Sequence, residues 1–374
     1  MADVHAEAET PRPAGGSLAP PSERLGPLRW LRENLFSSPL NTVLTLVCLY
    51  LLWLTVPPIL NWTIFDATIS GHNREACAGA GGACWTFIKV RFGQFIYGFY
   101  PPSERWRVNA AFVILVLGLI PLFVRGFRYK IALAAGLILV YPVIAYYLLH
   151  GGVLGLRVIQ TALWGGLFLT LIIAGVGIVA SLPIGILLAL GRRSDMPVVR
   201  MLCIGFIEAM RAVPLITILF MASVMLPLFL PAGVNFDKLL RALVGVALFS
   251  SAYMAEVVRG GLQAIPKGQY EAAQALGLSY WRMMGLIILP QALRIVIPGI
   301  VNTFIGLFKD TTLVLIIGLF DLLGIVQAAL TDANWLGFAL EGYVFAGFGF
   351  WIFCFAMSRY SMRLERRLGA GQRR

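Results

Sequence analysis

Eight stretches of about twenty predominantly apolar residues constrain this chain more than any other feature of its sequence. A helix needs about twenty such residues to cross the hydrocarbon core of a bilayer, which is about 30 Å thick. The pattern therefore predicts an all-α membrane protein with about eight transmembrane helices. The predicted spans cover approximately residues 41–60, 108–125, 131–149, 162–190, 201–230, 239–258, 296–319 and 341–360.

The composition agrees with a membrane protein and argues against a soluble one. Hydrophobic residues make up 59% of the chain and charged residues 13%, whereas soluble proteins carry about 25% charged residues. A net charge of +12 could indicate nucleic-acid binding, but the basic residues lie between the apolar runs and form no single basic face. We therefore expect the chain to contact a lipid bilayer and no nucleic acid.

Lysine and arginine residues near the span ends predict which side of the membrane each loop faces, because cytoplasmic loops carry an excess of both. With the N-terminus inside, the inner segments contain most of the basic residues, among them Arg24, Arg128, Arg192, Arg259, Lys267, Arg294 and Arg366. The outer loops hold Arg157, Lys238, Arg241 and five residues of the long loop 61–107. Long translocated loops follow this rule less closely, so we expect both termini in the cytoplasm.

The spans fall into two blocks with flanking tails. Residues 1–38 are rich in Pro, Ala, Gly and Ser and lack the apolar segment of a signal peptide, which predicts a disordered cytoplasmic tail. Residues 39–150 hold three spans and the long outer loop 61–107. Residues 151–365 hold five spans and most of the intramembrane polar residues, where function should concentrate. Residues 366–374 form a basic cytoplasmic tail.

Two of the five cysteines lie in a glycine-rich part of the long outer loop. Cys77 and Cys84 are seven residues apart. If the loop is extracytoplasmic, they form either a local disulfide or two free thiols, and spacing alone does not decide between these alternatives. The cysteines at 48, 203 and 354 lie in apolar runs, where cysteine behaves as a small hydrophobic residue.

A polar segment, PKGQYEAAQALGLSYWRMM, interrupts the apolar sequence after the sixth span. Its polar and apolar residues alternate at helical spacing, and Gly277 separates two short predicted helices. Taken alone, the segment is typical of an amphipathic helix on the membrane surface. A docking site is the alternative, because Glu271 offers a carboxylate while Ala272 and Ala273 permit close approach of another backbone.

The same segment carries a spaced motif: E-A-A, three residues, G, nine residues, I-x-L-P. It resembles the signature loop of permease subunits of bacterial ABC importers. Every fixed position of that motif is matched here, by Glu271, Ala272, Ala273, Gly277, Ile287, Leu289 and Pro290. In that family the loop, here within residues 262–290, forms the coupling helix that docks into a groove of the ATPase subunit.

Other stretches resemble one branch of these permeases. The sequences YMAEVVRGGLQAIPKGQYEAAQALG and RAVPLI look like the histidine, glutamine and polar amino-acid branch. The run LFKDTTLVLIIGLFDLLGIVQ, the three extra spans and the long outer loop look most like the larger permease of general L-amino-acid importers. One position departs from the branch, since Ala212 follows Arg211 where the branch usually has Gly.

The resemblance implies a type I ABC importer core of five helices preceded by three extra helices, in a bacterial inner membrane. It implies an ABC ATPase dimer as partner, a periplasmic amino-acid-binding protein, and a second permease subunit in a heterodimer. The chain contains no G-x-x-x-x-G-K-[ST] phosphate loop. We therefore expect no cofactor in this chain, and ATP and Mg²⁺ to be bound by the partner ATPase.

Charged residues within predicted spans are candidates for substrate binding, because a charge near the centre of a span costs about 2.5 to 3.5 kcal/mol on insertion scales. Glu208 and Arg211 lie three residues apart, and Pro214 one turn later is expected to weaken their helix. A polar group midway along another span comprises Lys309, Asp310, Thr311 and Thr312, with Asn302 two turns earlier.

A zwitterionic amino acid needs a cationic partner for its carboxylate and an anionic partner for its ammonium group. We expect Arg211 or a helix N-terminus to meet the carboxylate, and Asp310 or Glu208, with the two threonines, to meet the ammonium group. The alternative is a structural Glu208–Arg211 pair, with Lys309 facing a neighbouring subunit. Glu256 and Arg259 are expected to form a pair at a helix end, with a gate as the alternative.

Two other classes of function remain to be weighed against an importer. An ion- or proton-coupled secondary amino-acid transporter could use Asp310 and Glu208 as coupling sites, but it leaves the motif at Glu271 unexplained. A membrane-embedded enzyme lacks a visible site. The three histidines are scattered, and the sequence shows neither an H-E-x-x-H nor a G-x-S-x-G motif, so no metal site is predicted.

Overall fold

The computed structural model describes residues 27–79, 81–124, 126–153, 155–231 and 236–369. It is an all-α protein, as predicted. The described residues form two compact units. The first ends at Ala67 and includes Gly81–Ala83, and the second contains the rest of the chain.

The first unit contains two α-helices. Helix α1 spans Pro27–Asn34 and α2 spans Pro39–Leu60, followed by a π-helical turn at Asn61–Phe65. Ser38 caps α2 by accepting a 3.2 Å hydrogen bond from the backbone N–H of Asn41. Helix α1 differs from the predicted disordered tail over 1–38, whose residues 1–26 lie outside the described part of the chain.

The second unit contains the remaining α-helices of the described residues. In chain order they are α3 (Trp85–Tyr97), α4 (Arg105–Phe123), α5 (Lys130–Leu139), α6 (Tyr141–His150), α7 (Gly166–Arg192), α8 (Pro197–Ala212), α9 (Leu215–Phe220), α10 (Leu226–Phe229), α11 (Lys238–Gln263), α12 (Lys267–Ala275), α13 (Tyr280–Met283), α14 (Leu289–Ile295), α15 (Ile297–Asp310), α16 (Leu322–Leu330) and α17 (Ala339–Gly369). A two-residue strand, β1 (Phe320–Asp321), precedes α16. Helix α17 continues through the start of the predicted basic tail.

Seven stretches of the described residues are long and apolar enough to cross a membrane. The eighth, predicted as one span over 201–230, is broken: α8 and the helices after it meet at an angle of 103°. Pro214 explains the break, because it lacks a backbone N–H and disfavours the helical region for the residue before it. Val213 is accordingly extended, with φ −114° and ψ 138°. The predicted number of about eight spans is confirmed, but this span is not one straight helix.

Helices α7 and α11 pack along each other in the centre of the second unit. Small residues permit the close approach: a Cβ atom on Gly185 would lie 2.8 Å from the Met254 side chain, and one on Gly177 would lie 3.1 Å from Val246 and Leu307. Gly177 belongs to the run GVGIVA and lies at this close contact. Gly175 faces open space.

The end of the bundle where α7 begins is rich in buried aromatic residues, and we call it the aromatic end. Phe87 of α3 is fully buried, with its ring centroid 5.6 Å from that of Phe95 and 5.4 Å from that of Trp335. These rings pack with residues of α16 in one apolar cluster. The long loop 61–107 therefore contains a helix with one buried face, which hydropathy had not indicated.

Two polar features complete the aromatic end. A disulfide joins Cys77 to Cys84, whose Cα atoms are 5.8 Å apart. Asp321, which is fully buried, caps α16 by accepting hydrogen bonds from the backbone N–H groups of Leu323 and Gly324. Burial raises the pKa of the Asp321 carboxyl to about 6 although these hydrogen bonds oppose the shift.

Candidate functional site: the charged end

Helix α7 has 27 residues and is about 40 Å long, so its last residues lie far from the aromatic end. We call the region around Arg192, Glu256 and Tyr270 the charged end. The predicted coupling segment lies here, as two short helices, α12 and α13, on the surface. Two apolar side chains protrude here, Leu276 at the end of α12 and Trp281 of α13, which are 77% and 69% exposed.

Gly277 makes the turn between the two surface helices possible. Its φ of +70° lies in the left-handed region that favours glycine. The backbone N–H of Leu278 donates to the carbonyl of Ala273 at 3.2 Å, and that of Gly277 donates to Gln274 at 2.8 Å. These bonds satisfy carbonyl groups at the end of α12 in the manner of a Schellman motif. The motif glycine therefore fixes the shape of the segment.

The two alanines of the motif have different surroundings. Ala273 is 1% exposed and packs in an apolar cluster with Met283, Met284 and Ile288 of the same chain. Ala272 and the neighbouring Glu271 are exposed. A larger residue at 273 would thus push α12 away from its own chain, whereas Glu271 and Ala272 are accessible to a partner.

The last residues of the motif anchor the segment. Ile287 and Leu289 pack against the same apolar cluster. Pro290, near the start of α14, has no N–H to donate to the carbonyl four residues earlier. The preceding residues Met284–Ile288 accordingly form a π-helical turn, a common way to accommodate such a break. Leu289 and Pro290 therefore help to position α12 and α13 through contacts and backbone geometry within this chain.

Tyr270 connects α12 to both central helices. Its hydroxyl donates to the carbonyl of Leu262, near the end of α11, at 3.1 Å. Arg193, which follows α7, donates to the same hydroxyl at 3.1 Å, and its guanidinium carbon lies 5.5 Å from the ring centroid. These contacts join α12 to the ends of α7 and α11.

One carboxylate organises the arginines at this end. Glu256 of α11 accepts from Arg259 at 2.8 and 2.9 Å through one oxygen and from Arg192 at 2.9 Å through the other. Arg211 lies 3.7 Å from it. Because these arginines come from α7, α8 and α11, the Glu256 side chain holds the ends of three helices together. The predicted pair of Glu256 with Arg259 is confirmed.

Glu208 and Arg211 belong to this cluster. Glu208 pairs with Arg192 at 2.9 Å, and Arg211 lies near Glu256 with its guanidinium carbon 5.7 Å from the ring centroid of Tyr253. The sequence had left open a direct Glu208–Arg211 pair. In the described part of the chain their ion pairs are instead made with residues of other helices.

The second predicted group lies further along the bundle. A Cβ atom on Gly299 of α15 would lie 3.0 Å from Val257, which places Gly299 level with Glu256. Asp310 follows eleven residues later, about 16 Å further along the helix axis. The structure therefore places Arg211 and Glu208 apart from Asp310 along the bundle.

The polar side chains near Asp310 differ in whether they are free to bind a substrate. The Thr311 and Thr312 hydroxyls donate to the carbonyls of Phe308 and Lys309, at 2.8 and 3.0 Å, and Thr311 is buried. Asn302 is exposed, and Asp310 is half-buried. Of the predicted ammonium partners, Asp310 is thus the group whose acceptor oxygens are free of hydrogen bonds within the described residues.

Sequence reasoning missed Arg192, Arg193 and Tyr270 as functional residues. Arg192 was noted only as a basic residue of an inner segment, Arg193 follows it directly, and Tyr270 lies next to the motif without belonging to it. The side-chain partners of Arg192 and Arg193 are 16 to 77 residues away in sequence. No group of three or more potential metal ligands occurs among the described residues.

Comparisons with known proteins agree with the motif. Residues 181–370 match the family described as binding-protein-dependent transport system inner membrane component. The chain belongs to this family. It is therefore a multi-pass permease of an ABC transporter in the inner membrane, and membership implies an ATPase and a binding protein as partners.

Two relatives, YhdY and BztC, support this assignment. The inner membrane amino-acid ABC transporter permease protein YhdY of Escherichia coli K12 is 58% identical over 343 residues, covering 92% of this chain and 93% of the relative. The glutamate/glutamine/aspartate/asparagine transport system permease protein BztC of Rhodobacter capsulatus is 43% identical, covering 98% of both chains. A chain from a solved amino acid ABC transporter with histidines is 28% identical, covers 54% of this chain and 92% of its own length, and has a TM-score of 0.48.

Proposed function

We propose that this permease imports L-amino acids into the cytoplasm, driven by a separate ATPase that docks on α12. The observation that carries the proposal is the surface segment itself. Its exposed Glu271, Ala272 and Leu276 offer a contact surface, while Tyr270 and the buried Ala273 connect that surface to the helix bundle. The amino-acid substrate is supported by the names of YhdY and BztC.

The proposed orientation places the charged end and both termini in the cytoplasm. It rests on the excess of lysine and arginine in the predicted inner segments. In this orientation α12 faces the compartment that contains ATP. The partner ATPase dimer binds ATP and Mg²⁺, a periplasmic binding protein delivers the amino acid to the aromatic end, and a second permease subunit completes a heterodimer.

The proposed substrate path runs along the exposed polar face of α15. Asn302 and Lys309 are seven residues apart and so share one face of the helix, and Asp310 lies next to Lys309. Charges facing lipid would cost about 2.5 to 3.5 kcal/mol each, so this face should line water or another subunit. We propose that Asp310 meets the substrate ammonium group. Arg211 and Glu208, in the charged end, then act on the inner opening of the path.

The docking proposal is tested with Glu271→Arg in the assembled transporter reconstituted in liposomes. Charge reversal on the contact surface should reduce ATP hydrolysis stimulated by binding protein and amino acid by at least about tenfold, equivalent to about 1.4 kcal/mol or more. Arg128→Glu, at an exposed position in the predicted cytoplasmic loop between α4 and α5, is a control for charge reversal as such. Full stimulation in Glu271→Arg would refute docking at this surface.

An ion-coupled transporter, the alternative from the sequence, has no support from the relatives, which are permeases of ABC transporters. It also gives no role to α12. The Asp310 proposal is tested separately with Asp310→Asn. Uptake should fall at least about tenfold because the ammonium group loses its charged partner, while the ATPase still copurifies with the permease. Unchanged uptake would exclude Asp310 from substrate binding.

A further inference from the structure

An apolar groove lies between α15 and α17. It begins next to ring contacts that join the two helices and extends from them toward the charged end. Phe308 of α15 contacts Phe350 and Phe353 of α17, with ring centroids 5.5 and 5.3 Å apart. From there the two helices run in opposite chain directions toward the charged end. The groove has a volume of about 250 Å³ and is lined by residues that include Ile297, Ile300, Phe304, Met357, Tyr360 and Leu364.

Arginines lie at the end of this groove. Its lining ends at Ile297 on α15 and at Leu364 on α17. Arg294 precedes Ile297 by three residues, and Arg367 follows Leu364 by three. Arg367 is also seven residues after Tyr360, so it lies on the groove face of α17. Both arginines are exposed.

The positive charge at the groove end is not neutralised within the described part of the chain. No carboxylate there lies within ion-pair distance of Arg294 or Arg367. Glu365, the acidic residue in this part of α17, accepts a hydrogen bond from Ser361 at 3.1 Å. The groove thus has an apolar lining and unpaired cationic groups at one end.

We propose that this groove binds an anionic phospholipid. One acyl chain lies against the apolar lining, and the phosphate is held by Arg367, with Arg294 at the same end. Phosphate oxygens accept strong charge-assisted hydrogen bonds from guanidinium groups, and basic pockets between membrane helices favour anionic head groups. An apolar helix of another subunit would fill the groove but would leave both arginines unpaired. Charge complementarity therefore favours the lipid.

The proposal is tested on the purified full-length chain by native mass spectrometry, with phosphatidylglycerol or phosphatidylcholine added at equal concentration. The chain should retain phosphatidylglycerol preferentially. Arg367→Gln should weaken that retention about fivefold, the effect expected for one arginine near an anionic head group. Arg366→Gln is the matched control, because Arg366 lies two residues after Leu364 and so points away from the groove. Equal retention of the two lipids, or equal loss in both variants, would overturn the proposal.

A second variant tests whether the apolar lining of the groove binds the acyl chain. Val301→Trp places a large side chain in the lining and should displace phosphatidylglycerol without removing charge. If Val301→Trp instead releases a copurifying permease subunit and leaves lipid retention unchanged, the groove is a subunit interface and the proposal is wrong. Size-exclusion chromatography of each variant confirms that it is folded.

Discussion

The aromatic end and the charged end of the second unit are stabilised by different kinds of contact. The aromatic end has buried rings, a disulfide and a fully buried helix cap at Asp321. The charged end has ion pairs around Glu256 and two surface helices held by one glycine turn. Buried apolar packing gives way only with a large loss of contact, whereas an arginine can change carboxylate partners at small cost.

This difference indicates where the helices can shift relative to one another. At the charged end, a change at Glu256 affects α7, α8 and α11 at once, and Tyr270 connects the same helices to α12. At the aromatic end, the residues of α3 and α16 form a continuous apolar cluster. We therefore expect the arrangement of the charged end to respond to events at α12 before that of the aromatic end.

The largest effect on stability is expected for Glu256→Gln. The side chain of Glu256 is only 17% exposed, and its loss leaves three arginines without their common partner. Breaking a buried ion pair costs about 3 to 5 kcal/mol, so about 3 kcal/mol is expected at this partly buried site. The measurement is the thermal unfolding of the purified full-length chain.

Glu208→Gln is the matched control for that experiment. Glu208 is 54% exposed and pairs with Arg192 alone among the ion pairs of the described residues. Its loss should cost less than about 1 kcal/mol. If the two variants destabilise equally, Glu256 is not the organising group of the charged end.

A smaller effect is expected from the disulfide at the aromatic end. The bridge closes a loop between residues seven apart, for which chain entropy predicts about 2.5 kcal/mol. The Cys77→Ser, Cys84→Ser double variant should unfold at lower temperature, and the unreduced wild-type protein should yield a peptide that contains both cysteines. Two free thiols in protein isolated from the membrane would contradict the pairing.

The smallest effect concerns pH and Asp321. Its folded-state pKa of about 6 is above the ordinary value of 3.8, so the folded protein binds this proton more tightly than the unfolded chain. Stability from this group is therefore greatest in acid and is lost as pH rises through about 6. Between pH 5 and pH 7 the loss should be about 1 kcal/mol, and it should be absent in Asp321→Asn. An unchanged pH profile in Asp321→Asn would show that other groups are responsible.

The sequence predicted those features that depend on local pattern. Span positions follow from runs of apolar residues, and the structure confirms the all-α class with about eight spans. The motif around Glu271 indicated the family, which the comparisons show. Pro214 was expected to weaken its helix, and the break occurs beside it. The angle of this break could not be predicted, because it depends on the helices against which α8 and α9 pack.

Features that depend on contacts distant in sequence were not predicted. Helix α3 has polar residues among its rings, so its burial against α16 and Trp335 becomes visible only in the fold. Arg192 pairs with residues 16 and 64 positions away. The ion-pair partners of Arg211 and Glu208 were not predicted for the same reason: charge within a span predicts a need for partners but does not identify them.

The source of energy for uptake is the most direct test of an importer driven through α12. The transporter, assembled with its partners in liposomes, is supplied with binding protein and a labelled amino acid outside. Uptake should require ATP at the α12 side, stop with a non-hydrolysable analogue, and persist when ion gradients are dissipated. Uptake sustained by a proton or sodium gradient without ATP would contradict this mechanism.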